Sequence, residues 1–291
     1  MNATNSITHT YLLKNLTNLH VGRGDTNYGI LDNEVQRDPI TELPMIHSSS
    51  LKGAFRECLA FMEGKGDMNV GRKHEDVQLI FGSDKNDREH YRAATHRFFS
   101  AHLLALPVRS NIEAYLMATA PGILRQFLDD LELHDTVLFE KYQSGLEDVL
   151  KKYKPEEKKP IVFCKEKKES NNYFIDEFEN PEFEETNSTL ETLLGHSVVL
   201  MHDNALKDVA KRLPAIARNK LENGKSENLW YEEVVPRQSR FYFFVSENRL
   251  PSFRQKIESN AFRVQIGANA SIGYGFCQLQ PLNSTTHAKT N

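Results

Sequence analysis

The chain has 291 residues, of which 39% are hydrophobic and 26% are charged, a composition that excludes a disordered or fibrous protein. Its length suits one or two domains, and no apolar run reaches the ~20 residues that a membrane-spanning helix needs. The first residues do not resemble a signal peptide, and the three cysteines are too scattered for a disulfide framework or a zinc ribbon. We therefore expect a cytoplasmic protein that has no contact with a membrane.

The net charge of −4 would by itself argue against a nucleic-acid-binding protein, because such proteins are usually basic. The acids are unevenly distributed, however, since residues 166–191 contain nine acidic residues and only two lysines. Taking these from the 40 acidic and 36 basic residues of the chain leaves 31 acids and 34 bases elsewhere. The whole-chain charge therefore excludes no partner, and a local basic track is compatible with the sequence.

The first half of the chain predicts an alternation of strands and helices. A helix is indicated after Ser48–Ser50, because Leu51, Phe55 and Leu59 follow at i, i+4 and i+8. In chain order, the predicted elements are a strand (6–16), a loop rich in turn formers (22–29), a short strand (30–32), that helix, a polar insertion (60–95), a buried strand (101–107), an apolar segment that suits a strand or a helix start (112–118), and a helix (121–133).

The second half begins with the least regular part of the sequence, residues 135–195. It is followed by a short strand (196–201), a short helix (203–211), a polar, turn-like segment (217–228), two strands that are expected to pair (230–236 and 239–246), a helix (252–259), a strand (262–266), a glycine-bearing loop (267–275) and a closing strand (276–279). Residues 241–245 are all apolar, so this strand is expected to be buried on both faces.

Two segments carry residues that favour phosphate binding. The serines at 48–50 precede a helix in which Lys52 and Arg56 share one face, and a helix start favours an anion. An ordinary helix cap with solvated cations explains the same residues equally well. Gly267, Gly273 and Gly275 would allow close approach to a phosphate chain, or would simply turn a hairpin.

Acidic residues in or beside the loop 22–29 are candidates for chemistry. Asp25, Asp32 and Asp38 have the side chains that ligate magnesium or act as a base, although acids in loops are more often turn formers. His20 lies just before the loop, and a structural role is favoured for it. The eleven histidines show no metal-site spacing, and neither a dinucleotide fingerprint nor a Gly-x-Ser-x-Gly motif is present.

Three segments near the N-terminus read Leu19-His20-Val21-Gly22-x-Gly24, Asp32-x-x-x-Gln36-Arg37-Asp38-Pro39 and Leu43-Pro44-x-Ile46-x-x-Ser49-Ser50-Leu51-Lys52-Gly53-Ala54-x-Arg56. They resemble the N-terminal signature of the RAMP superfamily, the repeat-associated RNA-binding proteins of CRISPR effector complexes. Residues 266–276 resemble its glycine-rich loop, with Ala268 where a second glycine is usual. Residues 101–110 with 118–121, and 217–221 with 229–236, resemble the backbone subunit of type III-B (Cmr) complexes.

The resemblance implies an α+β fold with a ferredoxin-like, RRM-type palm. Helical and loop insertions are expected at about 60–95 and 135–195, and a β-hairpin thumb at about 217–240. A single RAMP domain would cover residues 1–282, and residues 283–291 would form a disordered tail.

The resemblance also implies a function: binding of a guide RNA (crRNA), and cleavage of the paired target RNA at regular intervals. Further copies of the chain would stack along the guide beside other CRISPR subunits. The family's catalytic aspartate corresponds to Asp32, which would use a divalent metal, taken as Mg²⁺, and His20 is a weaker candidate for acid–base assistance. RNA contacts are expected at Arg23, Arg37, Ser49, Ser50, Lys52, Arg56, Arg218, Arg240, Gly267, Asn269, Ser271 and Gly273.

Two alternatives belong to other functional classes. A catalytically silent scaffold would have the same fold and bind the same guide without cutting. A standalone module for single-stranded RNA would act outside any large complex.

Overall fold

The structure is a computed structural model that describes residues 7–24, 31–83, 92–165, 172–248 and 250–282. Within these residues the chain folds around one mixed sheet of eleven strands, and helices cover both of its faces. Two further pairs of strands form small sheets of their own. The tail predicted at 283–291 and most of the loop predicted at 22–29 lie outside the described residues.

The strands in chain order are β1 (Ile7–Asn15), β2 (Met45–Ile46), β3 (His96–Phe98), β4 (Ala101–Val108), β5 (Leu116–Thr119), β6 (Ile161–Cys164), β7 (Phe174–Ile175), β8 (Phe178–Glu179), β9 (Glu182–Glu185), β10 (Val198–Leu200), β11 (Ala215–Glu222), β12 (Lys225–Glu233), β13 (Arg240–Glu247), β14 (Arg263–Gln265) and β15 (Phe276–Leu282). The α-helices are α1 (Ser48–Glu63), α2 (Met68–Arg72), α3 (Glu75–Phe81), α4 (Pro121–His134), α5 (Thr136–Lys152), α6 (Ser188–Leu194), α7 (Asp203–Lys211) and α8 (Phe253–Glu258). A short 3-10 helix spans Ala270–Ile272.

The large sheet has the strand order β14-β15-β1-β13-β4-β5-β10-β6-β9, with β2 added beside β4 and β3 beside β13. The neighbours from β15 to β4 are all antiparallel, and the first parallel pair is β5 with β10. As predicted, β13 lies in the interior of the sheet and is buried on both faces.

A cluster of aromatic rings packs between one face of the sheet and the helices α1 and α8. The ring of Tyr11 in β1 stacks on Phe243 in β13 at 5.1 Å between centroids, and Phe55 of α1 packs on Phe243 at 5.6 Å. Phe253 of α8 meets Phe55 edge-on at 5.0 Å and Phe98 at 5.2 Å. Because alternate residues of a strand face opposite sides, Phe241 and Phe243 share this face while Tyr242 points the other way.

The opposite face of the sheet is covered by α4. Phe127 of α4 meets the ring of Tyr242 at 4.8 Å, and the Tyr242 hydroxyl donates a hydrogen bond of 2.7 Å to Asp130. Burial, reinforced by the nearby carboxylate of Asp130, raises the pKa of Tyr242. The buried hydroxyl is therefore a hydrogen-bonded polar group and carries no charge at neutral pH.

The region 135–195 is more regular than the sequence predicted. It contains the 17-residue helix α5, and β6 and β9 extend the main sheet beyond β10. Its acids are partly neutralised, since Arg212 pairs with Asp176 and Glu177, and Lys159 with Glu182. The prediction that 135–195 is irregular is therefore wrong for α5, β6 and β9. The hydrophobic residues of this region are buried in α5 and α6 as well as in β6, which joins the sheet.

The prediction of a turn-like segment at 217–228 is wrong, as is the pairing expected between 230–236 and 239–246. Residues 215–233 form a hairpin in which β11 pairs with β12, while β13 pairs with β1, β3 and β4. The turn is Asn223-Gly224, and both residues have positive φ, as a two-residue hairpin turn requires. Both strands are polar and largely exposed, so they lack the hydrophobic alternation from which strands are predicted.

No helix in the described parts of the chain is long and apolar enough to cross a membrane.

The aromatic cluster generates a stability prediction. Replacing Phe243 with alanine removes a fully buried ring that contacts Tyr11 and Phe55, and such a cavity costs about 3–5 kcal/mol. Urea unfolding followed by circular dichroism should show a large drop in the midpoint. The matched control is Leu133→Ala in α4, where the side chain is 75% exposed and the expected change is within ~0.5 kcal/mol. Equal effects of the two substitutions would contradict this description of the core.

Candidate functional site

Asp32 is held against the base of the β11–β12 hairpin. Its backbone N–H donates to the Tyr231 carbonyl at 3.1 Å, and the Tyr231 N–H donates to Asp32 Oδ2 at 2.8 Å. The Asp32 side chain is exposed to solvent. An ionised carboxylate offers about four acceptor positions, and this contact uses one of them. Asp32 is therefore fixed in position and still has acceptor capacity facing solvent. The short strand predicted at 30–32 is replaced by an isolated parallel bridge between Asn33 and Glu232.

Two buried glutamates follow Tyr231 in β12. Glu233 is 2% exposed, and its carboxylate accepts from the Arg37 guanidinium at 2.5 Å and from the Val35 N–H at 3.0 Å. The Glu233 N–H donates to the Asn33 carbonyl at 2.9 Å. Side chain and backbone of Glu233 together hold the segment that carries Asp32.

Glu232 points to the other side of the strand, where it ties the hairpin to the glycine-bearing loop. It accepts from the Arg218 guanidinium at 3.0 Å and from the Asn269 side-chain amide at 2.7 Å. His20 Nε2 lies 3.6 Å from the same carboxylate, and His20 Nδ1 lies 2.7 Å from the Glu233 carbonyl. Neither glutamate was predicted from the sequence to be a site residue. The sequence shows a pair of adjacent acidic residues within a predicted strand, and such a pair does not indicate whether its side chains are buried.

His20, predicted as a possible acid–base group, is 4% exposed. Both ring nitrogens face groups of β12, and its carbonyl accepts from the Ala268 N–H at 2.9 Å. His20 therefore joins its own segment to the hairpin and to the glycine-bearing loop.

Three of the arginines predicted to bind RNA form internal contacts. Arg37 binds Glu233 and the Ala210 carbonyl at the end of α7, and Arg218 binds Glu232 and lies 4.7 Å from the Tyr274 ring. Arg240 donates to the Leu193 carbonyl in α6, so its guanidinium is turned away from the Asp32 segment. Arg23 is exposed and lies 3.5 Å from Glu34.

The start of α1 presents the basic residues of the predicted phosphate site. Lys52 and Arg56 are half-buried, and they have no carboxylate partner within the described residues. Burial, followed by the nearby charge of Arg56, lowers the pKa of Lys52. Ser49 is exposed, and the Ser50 hydroxyl accepts from the Gln36 side chain at 3.0 Å. These two cations are unneutralised on one helical face, which is the arrangement that an anionic ligand would complete.

A groove of about 1060 Å³ lies along a different side of α1, where Ser50, Ala54 and Glu57 line it. Gly267 from the glycine-bearing loop also lines this groove, whereas Lys52 and Arg56 are not part of its lining. Gly267 has φ of +81°, and a Cβ there would lie 2.2 Å from the His20 carbonyl oxygen. A side chain at this position would push the loop away from His20. Of the predicted α1 contacts, the groove therefore joins Ser50 to the glycine-bearing loop.

The rest of the glycine-bearing loop is exposed or half-buried, except for Gly275, which is buried. Asn269 and Gly273 both have positive φ, and they flank the short turn that carries Ser271. Ser271 is exposed, whereas Asn269 is tied to Glu232 through its side chain.

Of the other two loop acids, Asp25 lies outside the described residues. Asp38 accepts hydrogen bonds from Ile40 and Thr41, and although burial opposes it, these bonds lower the pKa of Asp38 overall. Asp38 is thus a turn former in this structure, the role most common for acids in loops.

The described residues contain one group with the ligand types of a metal site, and it is remote in sequence from Asp32. Glu63, His74 and Asp76 lie close together, but Lys256 is already paired with both carboxylates, at 2.6 and 2.5 Å. The ammonium group supplies the positive charge that a metal ion would otherwise bring.

A second groove, of about 670 Å³, lies beside the Asp32 segment. Leu31 and Arg37 line it from that segment, His47 from the start of α1, Lys211 from the end of α7, and Glu233 from β12. The groove is polar and open to solvent, and Leu31 places it beside the chain segment of Asp32, whereas Asp32 itself is not part of its lining.

The chain was compared with known proteins. The model of the RAMP superfamily matches residues 12–278. The CRISPR system Cmr endoribonuclease Cmr4 of Pyrococcus furiosus is 26% identical over 308 aligned residues, which cover 95% of this chain and 98% of the relative. The Cms endoribonuclease Csm3 of Mycobacterium tuberculosis is 38% identical over 82 residues, which cover 26% of this chain and 33% of the relative.

Solved structures give the same assignment at the level of the fold. The type III-B Cmr-beta complex in its apo state contains a chain that superposes with a TM-score of 0.72 at 20% identity, covering 95% of this chain and 98% of that one. Oligomeric Cmr4 from Pyrococcus furiosus superposes with a TM-score of 0.65 at 21% identity, covering 96% and 99%. With the family model matched over nearly the whole length, this chain belongs to the RAMP superfamily.

Proposed function

We propose that this chain is a guide-RNA-binding backbone subunit of a type III-B CRISPR effector complex, and that it cuts guide-paired target RNA at regular intervals. The observation that carries the proposal is the exposed carboxylate of Asp32, fixed at the base of a hairpin that stands away from the sheet. In support, the relative that is similar over 95% of the chain is named a Cmr endoribonuclease. A further structure with the same fold, at TM-score 0.73 and 22% identity, is a Cmr-beta complex bound to cognate target RNA.

In this proposal the strands β15-β1-β13-β4 are a ferredoxin-like palm. Support comes from their order and from their connections, since α1 and α8 each follow one of the two central strands, β1 and β13. The β11–β12 hairpin is the thumb, and the helices and strands between α1 and β3, and between α4 and β10, are the insertions. The whole described chain then forms one RAMP domain.

The guide strand is proposed to pass the start of α1. Lys52 and Arg56 neutralise its phosphates, Ser49 and Ser50 donate to them, and the glycine-bearing loop, which shares a groove with Ser50, approaches the backbone closely. Such contacts read the shape and charge of RNA, so sequence is read by pairing between guide and target. Modest local basicity is enough for this, which agrees with the acidic net charge of the chain.

Cleavage is proposed to use a target nucleotide that the thumb pushes out of the duplex. An unstacked nucleotide is released from A-form geometry, so its 2′-hydroxyl can align with the scissile phosphorus. Asp32 accepts the proton of that hydroxyl, because it retains acceptor capacity on the exposed side of its carboxylate. DNA lacks the hydroxyl and is not expected to be cut.

A divalent metal, Mg²⁺ in this proposal, fits the site if the protein supplies few ligands and the substrate and water supply the others. Mg²⁺ commonly binds through one or two carboxylates together with substrate phosphates and water, and Asp32 has free acceptor positions for it. When bound, the ion would neutralise charge at the scissile phosphate.

Stacked copies of the chain along one guide, with other CRISPR subunits beside them, explain the regular interval. Each copy contributes one Asp32, so the spacing of the cuts equals the spacing of the copies.

The first prediction concerns Asp32. In a complex assembled with guide RNA and partner subunits, Asp32→Ala should slow cleavage of end-labelled target by at least ~100-fold while target binding is retained, because the substitution removes the proton acceptor and leaves the proposed guide contacts in place. Asp32→Asn is the sharper variant, since its amide oxygen can still accept from the Tyr231 N–H.

The matched control is Glu34→Gln, a neighbouring carboxylate that lies beside Arg23. If the Asp32→Asn complex cuts the target at the wild-type rate, Asp32 is not the proton acceptor. Binding without cutting by the wild-type complex would leave a silent scaffold.

The second prediction concerns the guide. Replacing Lys52 and Arg56 with alanine should lower affinity for guide RNA and reduce the slope of log affinity against log salt by about one to two units, because each phosphate contact in a single strand contributes ~0.7. Filter binding at several salt concentrations measures both. The control is Lys151→Ala with Lys159→Ala, which removes the same charge from exposed ion pairs. An unchanged slope in the Lys52 and Arg56 variant would place these residues outside the interface.

The third prediction concerns the metal. Excess EDTA should stop cleavage by the assembled complex without releasing the target, and Mg²⁺ should restore the ladder. Asp32→Asn should need more Mg²⁺ for half of its residual rate, because a neutral amide is a weaker ligand. Undiminished cutting in EDTA would remove the metal from the proposal.

A further inference from the structure

The cleavage proposed above needs a group that gives a proton as well as Asp32, which takes one. When the 2′-oxygen attacks the phosphorus, the bond to the 5′-oxygen breaks, and this oxygen leaves easily only if it is protonated. His20 does not suit that task, because it is buried and both of its ring nitrogens face β12. The donor is therefore to be sought among the exposed groups around Asp32.

The groove of about 670 Å³ beside the Asp32 segment supplies a small set of candidates. Most of its charged side chains already have a partner of opposite charge. Arg37 is paired with Glu233 at 2.5 Å, Lys211 with Glu42 at 3.1 Å, and Arg23 lies 3.5 Å from Glu34.

His47 differs from these groups. It lies in the groove at the residue before α1 and is exposed, and its ring makes no hydrogen bond or ion pair with any described residue. Its backbone N–H is held by the Gln36 side chain at 2.8 Å, so the ring is attached to a fixed point of the fold.

Two other histidines show what the ring would do if its role were structural. His74 and His202 occupy the same position before α3 and α7, and in both the ring nitrogen accepts a backbone N–H of the first turn. The backbone of His202, with φ −61° and ψ 147°, is nearly identical to that of His47, with φ −61° and ψ 146°. Backbone geometry therefore allows the capping contact, and yet His47 leaves its ring free in the groove.

We propose that His47 is the general acid of the cleavage step, a catalytic residue that contacts the 5′-oxygen of the scissile bond. The proton of the 2′-hydroxyl passes to Asp32, the 2′-oxygen forms a bond to phosphorus, and the bond from phosphorus to the 5′-oxygen breaks. The His47 imidazolium gives its proton to that oxygen. The products are a 2′,3′-cyclic phosphate and a 5′-hydroxyl, and no other reactant is needed.

The inference rests on the proposed nuclease function, and a substrate with sulfur in place of one 5′-bridging oxygen tests the two separately. A thiolate leaves without prior protonation, so loss of a general acid does not slow that cut. The target RNA carries the sulfur at one cutting position and ordinary oxygen at the others. The oxygen positions in the same molecule then serve as internal controls for assembly and binding.

With wild-type complex, every position should be cut. With His47→Asn, which keeps a good helix-capping residue, the oxygen positions should be cut at least ~100-fold more slowly, whereas the sulfur position should be cut at close to the wild-type rate. Target affinity should change less than about twofold. Asp32→Asn should be slow at both kinds of position, because sulfur does not replace the base.

His202→Asn is the matched control, since it alters a histidine with the same backbone conformation whose ring has a structural role. Two results would overturn the inference: oxygen positions cut at the wild-type rate by His47→Asn, or a sulfur position cut as slowly as the oxygen positions. Failure of the wild-type complex to cut any position would instead remove the proposed function, and the inference with it.

Discussion

The arrangement of the site depends on two adjacent carboxylates at the end of β12. Neighbouring residues of a strand face opposite sides, so Glu232 and Glu233 present buried charges to two different parts of the molecule. Glu233 meets Arg37 in the segment that follows Asp32, and Glu232 meets Arg218 and the glycine-bearing loop. A buried charge without a partner costs several kcal/mol, so the partners on both sides are held in place.

The pair of Glu232 and Glu233 also explains how an exposed hairpin can keep a defined orientation relative to the rest of the fold. Beyond its base, the β11–β12 hairpin forms a sheet of its own, and most of its side chains face solvent. The two hydrogen bonds between Asp32 and Tyr231, and the buried contacts of the next two residues of β12, fix its base to the segment that carries the exposed carboxylate. Hairpin and carboxylate are therefore positioned together, which is what a cut beside a displaced nucleotide requires.

The basic residues divide into two groups that sequence alone does not distinguish. Arg37 and Arg218 neutralise the buried glutamates, and Arg240 binds a carbonyl of α6. Lys52 and Arg56 are half-buried near the start of α1 and have no carboxylate partner in the described structure. In the proposed function the first group holds the site together and the second binds the guide. The expected RNA contacts at Arg37, Arg218 and Arg240 remain predictions, and the structure gives each of these residues an internal contact.

Local sequence determined those elements whose apolar residues repeat with a clear period. The spacing of Leu51, Phe55 and Leu59 located α1, the apolar run at 241–245 located a buried strand, and residues 203–211 form the helix that was expected. Resemblance of motifs identified the superfamily, because the residues of its loops are specific even where its strands are not. The Asn223-Gly224 turn was a local signal as well, but the polar strands on either side concealed it.

Only the tertiary structure decided which of the charged residues are buried. Glu232, Glu233 and His20 lie in polar sequence, and they are buried because segments more than 190 residues apart in the chain meet at the base of one hairpin. Local sequence could not predict that the ring of His47 does not cap its helix, since His47, His74 and His202 occupy equivalent positions before their helices. A sequence fixes the preference of each short segment, whereas the environment of a charge depends on segments brought together by the fold. This physical difference separates what could be predicted about this protein from what had to be observed.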